Sequence, residues 1–261
     1  MGVLNVTQDS FFDGGQFLSE SSILRQVEKM LSEGADFIDV GGYSSRPGAT
    51  DIPLQEEKDR TVKAISSIAK SFPGTIISID TFRSGVAEAA VDAGASIIND
   101  IAGGNLDKKM IETVSRLKVP YVLMHLRGNP RTMSSQTQYA NLLKEMIDYF
   151  HNTIHLLRQF EVKDIIIDPG FGFSKTIPQN FFILQNLEKF SLLEKPILVG
   201  LSRKSMIWKS LDIKPTEALN GTTALNTMAL LRGADILRVH DVKEAREVIK
   251  LFISLSDNVN K

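Results

Sequence analysis

The chain has 261 residues, 43% of them hydrophobic and 23% charged, with a formal net charge of -1. It is long enough for a full core and carries no overall field that would draw it to nucleic acid or an anionic membrane. It has no cysteine, which excludes disulfides, a thiolate nucleophile and cysteine-ligated zinc.

Met1 is followed directly by Gly2 and Val3, without a basic segment and an apolar stretch, and nowhere is there an apolar run of about 18 residues. The expectation is a soluble, cytoplasmic protein. Short runs rich in Val and Ile recur in chain order: VLNV (3–6), FIDVGG (37–42), IISID (76–80), IINDI (97–101), YVLMH (121–125), IIIDPG (165–170), ILVGLS (197–202) and ILRVH (236–240), eight in all. Each is bounded by Gly, Pro, Asp or Asn and reads as a strand. Between them, SSILRQVEKMLSEGAD (21–36) and RSGVAEAAVDAGA (83–95) space apolar residues three and four apart and finish in Gly-Ala, as does the segment ending at Gly233-Ala234. Glycine there suits a helix C-cap.

Strands apolar throughout and alternating with helices indicate a parallel sheet covered on its outside. Eight such units in roughly 250 residues predict an α/β fold, a (β/α)8 TIM barrel, in one domain spanning 1–261. An open doubly wound sheet would call for a G-x-G-x-x-G turn after the first strand, and none follows Val6. The first strand begins near residue 2, so the bottom of the barrel needs a seal from the far end of the chain, unless residues are missing before Met1.

The runs share polar residues at or near their C-terminal ends: Asn5, Asp39, Asp80, Asn99 with Asp100, His125, Asp168, Ser202 with Arg203, and Arg238 with His240. In a barrel those ends lie on one face, where active sites sit. Any single member is explained as well by capping the next helix. A whole ring of such groups around one mouth is costly without a ligand to satisfy them.

In DPGFGFSKT, Asp168 leaves a fully apolar strand and Gly170 and Gly172 allow close backbone approach. It is either an acidic N-cap or a carboxylate for the paired donors of a guanidine-like heterocycle edge, to which Asn99 also offers a donor and an acceptor. In LSRKSMIW, Ser205 opens a predicted helix that could hold a carboxylate, and Lys204 could reach over a neighbouring ring; a surface basic pair is the alternative. Arg238 and His240, two apart, leave one face of a strand and read as a phosphate site or as a salt-bridged pair. The opening loop TQDSFFDGG and GGYSSRPGA (41–49) have the glycine pairs of movable lids or of ordinary flexible loops.

LNVTQDSFFDGG, DVGGYSSRPGA, SIDT, IND, MHLRGNPRTM, DPGFGFSK, GLSRKSMI and RVHDV occur in order from residue 2 to about residue 245, and together they resemble the motifs of the dihydropteroate synthases. That family is a β/α barrel that joins 6-hydroxymethyl-7,8-dihydropterin diphosphate to p-aminobenzoate, releasing pyrophosphate, with magnesium (Mg2+). The resemblance implies that Asp80, Asn99, Asp168 and Lys204 hold the pterin and that Met124 packs beside it. It implies diphosphate binding by Arg238 and His240 and a magnesium ligand in Asn5. Ser205 with Ser45, Arg46 and Pro47 would form the aminobenzoate side, walled by Phe11 and Phe173, and Asp80, Lys204, Arg238 and Arg46 would carry the chemistry. A homodimer is implied by the family alone, with 216–231 as a candidate stripe.

The sequence departs from the family pattern at Gln8, Tyr43 and Ser45, where Pro, Glu or Gln, and Thr are usual. These positions bear on loop closure, aminobenzoate affinity and sulfonamide sensitivity. A pairing of Asp13 with Arg46 on closure is a further expectation. The rival readings are a pterin-binding methyltransferase-type barrel and a pterin-binding homologue that has lost turnover.

Overall fold

The computed structural model describes residues 1–7, 19–44 and 51–257. Six strands, β1 (Gly2–Asn5), β2 (Phe37–Gly41), β3 (Ile76–Asp80), β4 (Ile97–Asp100), β5 (Tyr121–Met124) and β6 (Ile165–Asp168), pair in chain order, every neighbour parallel. Two shorter strands, β7 (Leu198–Val199) and β8 (Ile236–Leu237), form a second parallel pair. Isolated bridges join Ile167 to Ile197 and Gly2 to Val239, so the ladder runs from β6 through β7 and β8 back to β1 and closes the barrel. Val239 fixes the closure from both sides, its carbonyl accepting from Val3 and its N–H donating to the Met1 carbonyl, each at 2.9 Å.

The runs at 197–202 and 236–240 yield only two ladder residues each. After Val239 the His240 N–H donates to the Ser202 side chain at 3.1 Å, so a hydroxyl replaces the next backbone acceptor and pairing stops.

Helices α1 (Glu20–Ser32), α2 (Leu54–Ser71), α3 (Ser84–Asp92), α4 (Met110–Leu117), α5 (Leu142–Gln159), α6 (Ile177–Gln185), α7 (Ser205–Trp208), α8 (Leu219–Leu231) and α9 (Val242–Asp257) follow the strands. The expected glycine stops occur three times in one form. Gly34, Gly94 and Gly233 all have positive φ, and the alanine after each reaches back five residues, to Met30, Ala90 and Ala229. This is the Schellman pattern, which only a residue tolerant of left-handed backbone completes cheaply. No helix among the described residues is long and apolar enough to cross a membrane.

Inside the barrel, side chains two apart share a face, which resolves the lumen into layers. Phe37, Ile97, Val122, Ile166, Leu198 and Ile236 pack with Met1 as an apolar lower layer. Two residues further along the same strands stand Asp39, Asn99, Met124, Asp168, Gly200 and Arg238. The lumen thus changes from apolar to polar in one step toward the C-terminal ends. A separate apolar shell packs the strands against the helices.

Candidate active site

The polar layer opens into a cleft. Asp80, Asn99, Asp168, Lys204 and Arg238 supply its polar lining, and Ile101, Met124, Phe171 and Phe173 its apolar walls, with Gly200 between. Register places Asn5, Gly41, Asp80 and Asn99 on one row across β1 to β4. Gly41 puts no side chain into that row. A Cβ on it would stand 3.5 Å from Asn5 Oδ1 and 3.7 Å from Asp80 Oδ2, so the missing side chain leaves the gap that those two oxygens flank.

Arg238 is the centre of the charge arrangement. Its Nε donates to Asp39 Oδ2 at 2.6 Å and its Nη2 to Asp80 Oδ2 at 2.5 Å. Burial lowers the guanidinium's affinity for its proton, but Asp39 and Asp80 more than compensate and hold it above the ordinary arginine value. Burial pushes the Asp80 carboxyl up to about 7, while Arg238 pulls it down. Asp39 is fully buried, and the same Oδ2 that accepts from Arg238 also accepts from Asn99 Nδ2 at 3.1 Å. That bond settles the Asn99 amide, whose Oδ1 is left as the acceptor for the cleft.

Asp168 accepts the Gly170 N–H at 2.7 Å. Burial raises its pKa against the Gly170 N–H, Lys204, Arg238 and Lys175, in that order. Lys204 lies over the Phe173 ring, 4.3 Å from its centre, a cation–π arrangement. His240 is neutral: burial, then Arg238, push its imidazole down to about 4. Its Nδ1 lies 3.0 Å from Ser202 Oγ. That hydroxyl also accepts the His240 amide proton, at 3.1 Å.

A chain whose barrel mouth carries this set invites comparison with known proteins. The family model described as "Pterin binding enzyme" matches residues 1–240. A dihydropteroate synthase of Synechocystis sp. is 43% identical over 258 residues, covering 98% of this chain and 89% of the relative. The chain belongs to the dihydropteroate synthase family. The Escherichia coli dihydropteroate synthase is 39% identical over 264 residues, 100% of this chain and 93% of its own. A Yersinia pestis dihydropteroate synthase solved with a sulfonamide drug superimposes with a TM-score of 0.93 at 36% identity, covering 98% of this chain and 93% of that one.

Of the residues that the family likeness marks, Asp80, Asn99, Met124, Asp168, Phe173, Lys204 and Arg238 meet in the cleft. Asn5 stands at its rim beside Asp80, Ser205 begins α7 directly after Lys204, and His240 follows Arg238 by two residues. Gln8, Phe11, Asp13, Ser45, Arg46 and Pro47 lie outside the described residues.

Other strand-end groups leave the ring. Arg203 donates to both Asp241 oxygens, at 2.9 and 2.7 Å. Asp100 accepts from the Ala102 and Gly104 amides and from Tyr121, all at 2.7 Å. His125 is buried edge-on to Tyr149. Arg203 and Asp100 are satisfied by protein, His125 Nδ1 has no hydrogen-bond partner among the described residues, and none of the three lines the cleft. Phe171, Ile101 and Gly200 line it without having been singled out. Asp39 stood in the strand-end ring with no role attached, and its paired contacts show what strand position alone could not.

Proposed function

We propose that this cleft binds a dihydropterin diphosphate and transfers its pterinylmethyl group to p-aminobenzoate, giving 7,8-dihydropteroate and pyrophosphate. The observation that supports it best is the pairing of two acceptors, Asp168 and Asn99 Oδ1, with a guanidinium held by Asp39 and Asp80 at the same barrel mouth. Asp168 and Asn99 take the amino and ring N–H donors of the pterin. Met124 packs on the ring, Lys204 reaches over it, Arg238 with neutral His240 addresses the diphosphate, and Phe173 walls the aminobenzoate side. Ser205, with Ser45, Arg46 and Pro47, holds the aminobenzoate, and Phe11 walls it.

In the reaction the bond from the 6-methylene carbon to the diphosphate oxygen breaks, and its electron pair leaves with pyrophosphate. The aniline nitrogen, a free nucleophile at neutral pH, forms the new carbon–nitrogen bond and loses a proton to solvent. Carboxylates around the pterin favour positive charge on the methylene as pyrophosphate departs, so departure runs ahead of attack, with Asp80 as the stabilising group.

Magnesium fits the residues present. Asn5 Oδ1 faces the gap beside Gly41, and one amide oxygen suits a hard cation that takes its other ligands from diphosphate and water. Among the described residues no three acidic or histidine side chains are grouped to hold a metal by themselves. When bound, the ion would help neutralise the leaving pyrophosphate.

The test is to incubate the protein with magnesium and pterin diphosphate, with and without aminobenzoate. Dihydropteroate and pyrophosphate should appear in equal amounts when both substrates are present, and slow pyrophosphate release should occur without the amine. Pterin binding with no pyrophosphate in either case would favour the methyltransferase-type reading or a binder without turnover. Pyrophosphate release strictly dependent on amine would remove the dissociative order.

The reading extends to a homodimer through α8 and α9. They pack on each other and expose Met228, Leu231, Leu251 and Leu255, each more than half accessible. Apolar side chains at that density on adjacent helices suit an isologous interface. Sedimentation should give twice the chain mass; a monomer at micromolar concentration would refute it.

A further inference from the structure

The loop between β6 and α6 carries a buried cation that the reaction above leaves unused. Lys175 is 8% exposed. Its ammonium donates to the Phe173 carbonyl at 2.9 Å, the Gly170 carbonyl at 3.0 Å and the His125 carbonyl at 3.4 Å. Three acceptors match the three hydrogens of an ammonium, whereas a neutral amine would leave one carbonyl short. All three partners are neutral, and among the described residues Lys175 has no ion pair, so its charge acts on its surroundings at large.

The nearest consequence lies one residue away. Gly170 uses its carbonyl for Lys175 and its N–H for Asp168 Oδ1. The spot is tight: Gly170 has φ +70, and a Cβ there would stand 2.4 Å from the His125 carbonyl oxygen. Asp168 is buried and needs a counter-charge to remain a carboxylate. Arg238 is already shared between Asp39 and Asp80. Lys204 lines the cleft itself, against Phe173.

We propose that Lys175 is a fixed counter-charge behind Asp168, a positioning residue that acts with Lys204 and Arg238 to keep this carboxylate ionised so that it accepts two hydrogen bonds from the pterin edge. The proposal rests on the functional reading above and assigns Lys175 a role in substrate affinity rather than in fold alone. The groups facing the pair are Lys204 at the start of α7, Arg238 after β8, and Arg127 and His125 after β5. Tyr139 also approaches, donating to the Ser174 carbonyl at 3.0 Å. The His125 imidazole contributes no charge, because burial, then Lys175 and Arg127, push it down to about 2. Burial lowers Lys175 itself to about 7 while Asp168 pulls it up, and the three carbonyls favour the charged form.

The sign follows. Burial already raises Asp168, with Lys175 among the charges that oppose it. Removing the cation raises it further, and a protonated carboxyl turns one of its acceptors into a donor. Affinity for the pterin then falls at neutral pH and returns as pH rises through the new value.

The experiment measures binding of 6-hydroxymethyl-7,8-dihydropterin by calorimetry from pH 6 to 8.5, to wild type and to Lys175→Gln and Lys175→Met. Gln keeps hydrogen-bonding capacity without charge. Both variants should bind at least tenfold more weakly at pH 6.5 and recover severalfold by pH 8.5. Aminobenzoate KM should stay within twofold, and Asp168→Asn should show the loss without the recovery. Wild-type-like binding by Lys175→Gln, or a loss independent of pH, would overturn the proposal. Failure of both Lys175 variants to fold would also overturn it by assigning a structural role. Failure of the wild type to bind the dihydropterin would instead overturn the functional reading.

Discussion

Arg238→Ala is expected to lower kcat/KM for the pterin diphosphate by about 10²- to 10³-fold, the range seen when a donor aimed at developing negative charge is removed. Two effects combine. The leaving pyrophosphate loses a guanidinium, and Asp39 and Asp80 lose the cation that both contact. Stranding a buried charge by removing its partner costs about 3–5 kcal/mol, so the variant should also melt well below wild type. The stability deficit has a pH signature. Burial raises Asp80 while Arg238 opposes it, so without Arg238 its folded-state pKa rises further above the unfolded one. The folded state then holds the proton more tightly, and stability falls as pH rises through that value. The gap in Tm between variant and wild type should therefore be wider at pH 8 than at pH 6. Arg238→Lys keeps a charge but cannot serve two carboxylates with one planar fork, and should recover little of the rate. Turnover within threefold of wild type for Arg238→Ala would remove Arg238 from the chemistry.

Much of this arrangement was legible in the residues, for reasons that differ from element to element. Eight apolar runs separated by helical spacing foretell the barrel because parallel strands buried on both faces are mostly apolar until they end, Asp39 and Ser78 being exceptions. The Gly-Ala endings were readable because a left-handed C-cap selects glycine, and Gly34, Gly94 and Gly233 all adopt it. The short ladders of β7 and β8 were not readable, since nothing in ILVGLS or ILRVH says that Ser202 will take the amide proton of His240. Strand-end position placed Asp80, Asn99, Asp168 and Arg238 at the mouth. It could not separate them from Asp100 and Arg203, which the fold satisfies with backbone amides and with Asp241. Nor did it decide between the two readings of Arg238, whose guanidinium lines the cleft and is salt-bridged at once. Partners far apart in sequence decide such cases.

Asp39 shows this most sharply, and it carries the second large prediction. Its Oδ2 takes Arg238 Nε from β8's end and Asn99 Nδ2 from β4, so one atom aligns a diphosphate group and a pterin group. Asp39→Asn preserves the shape and removes the charge. The new amide oxygen still takes both donors, as Oδ2 does, but without the charge that strengthens those bonds, and its N–H2 stands where Oδ1 has no partner among the described residues. A hydrogen bond to a charged group is worth about 1.5–3 kcal/mol, and every 1.4 kcal/mol is about tenfold. The expected loss is therefore about 10- to 100-fold in kcat/KM for the pterin diphosphate, with aminobenzoate KM unchanged. Stability should respond differently from Arg238→Ala. With Asp39 neutral, Arg238 faces the single carboxylate of Asp80, a balanced buried pair, so Tm should shift by only a few degrees. A variant that melts near wild type yet turns over poorly would show that Asp39 acts by aiming its two neighbours. Wild-type kinetics would show that Asn99 and Arg238 hold their positions without it.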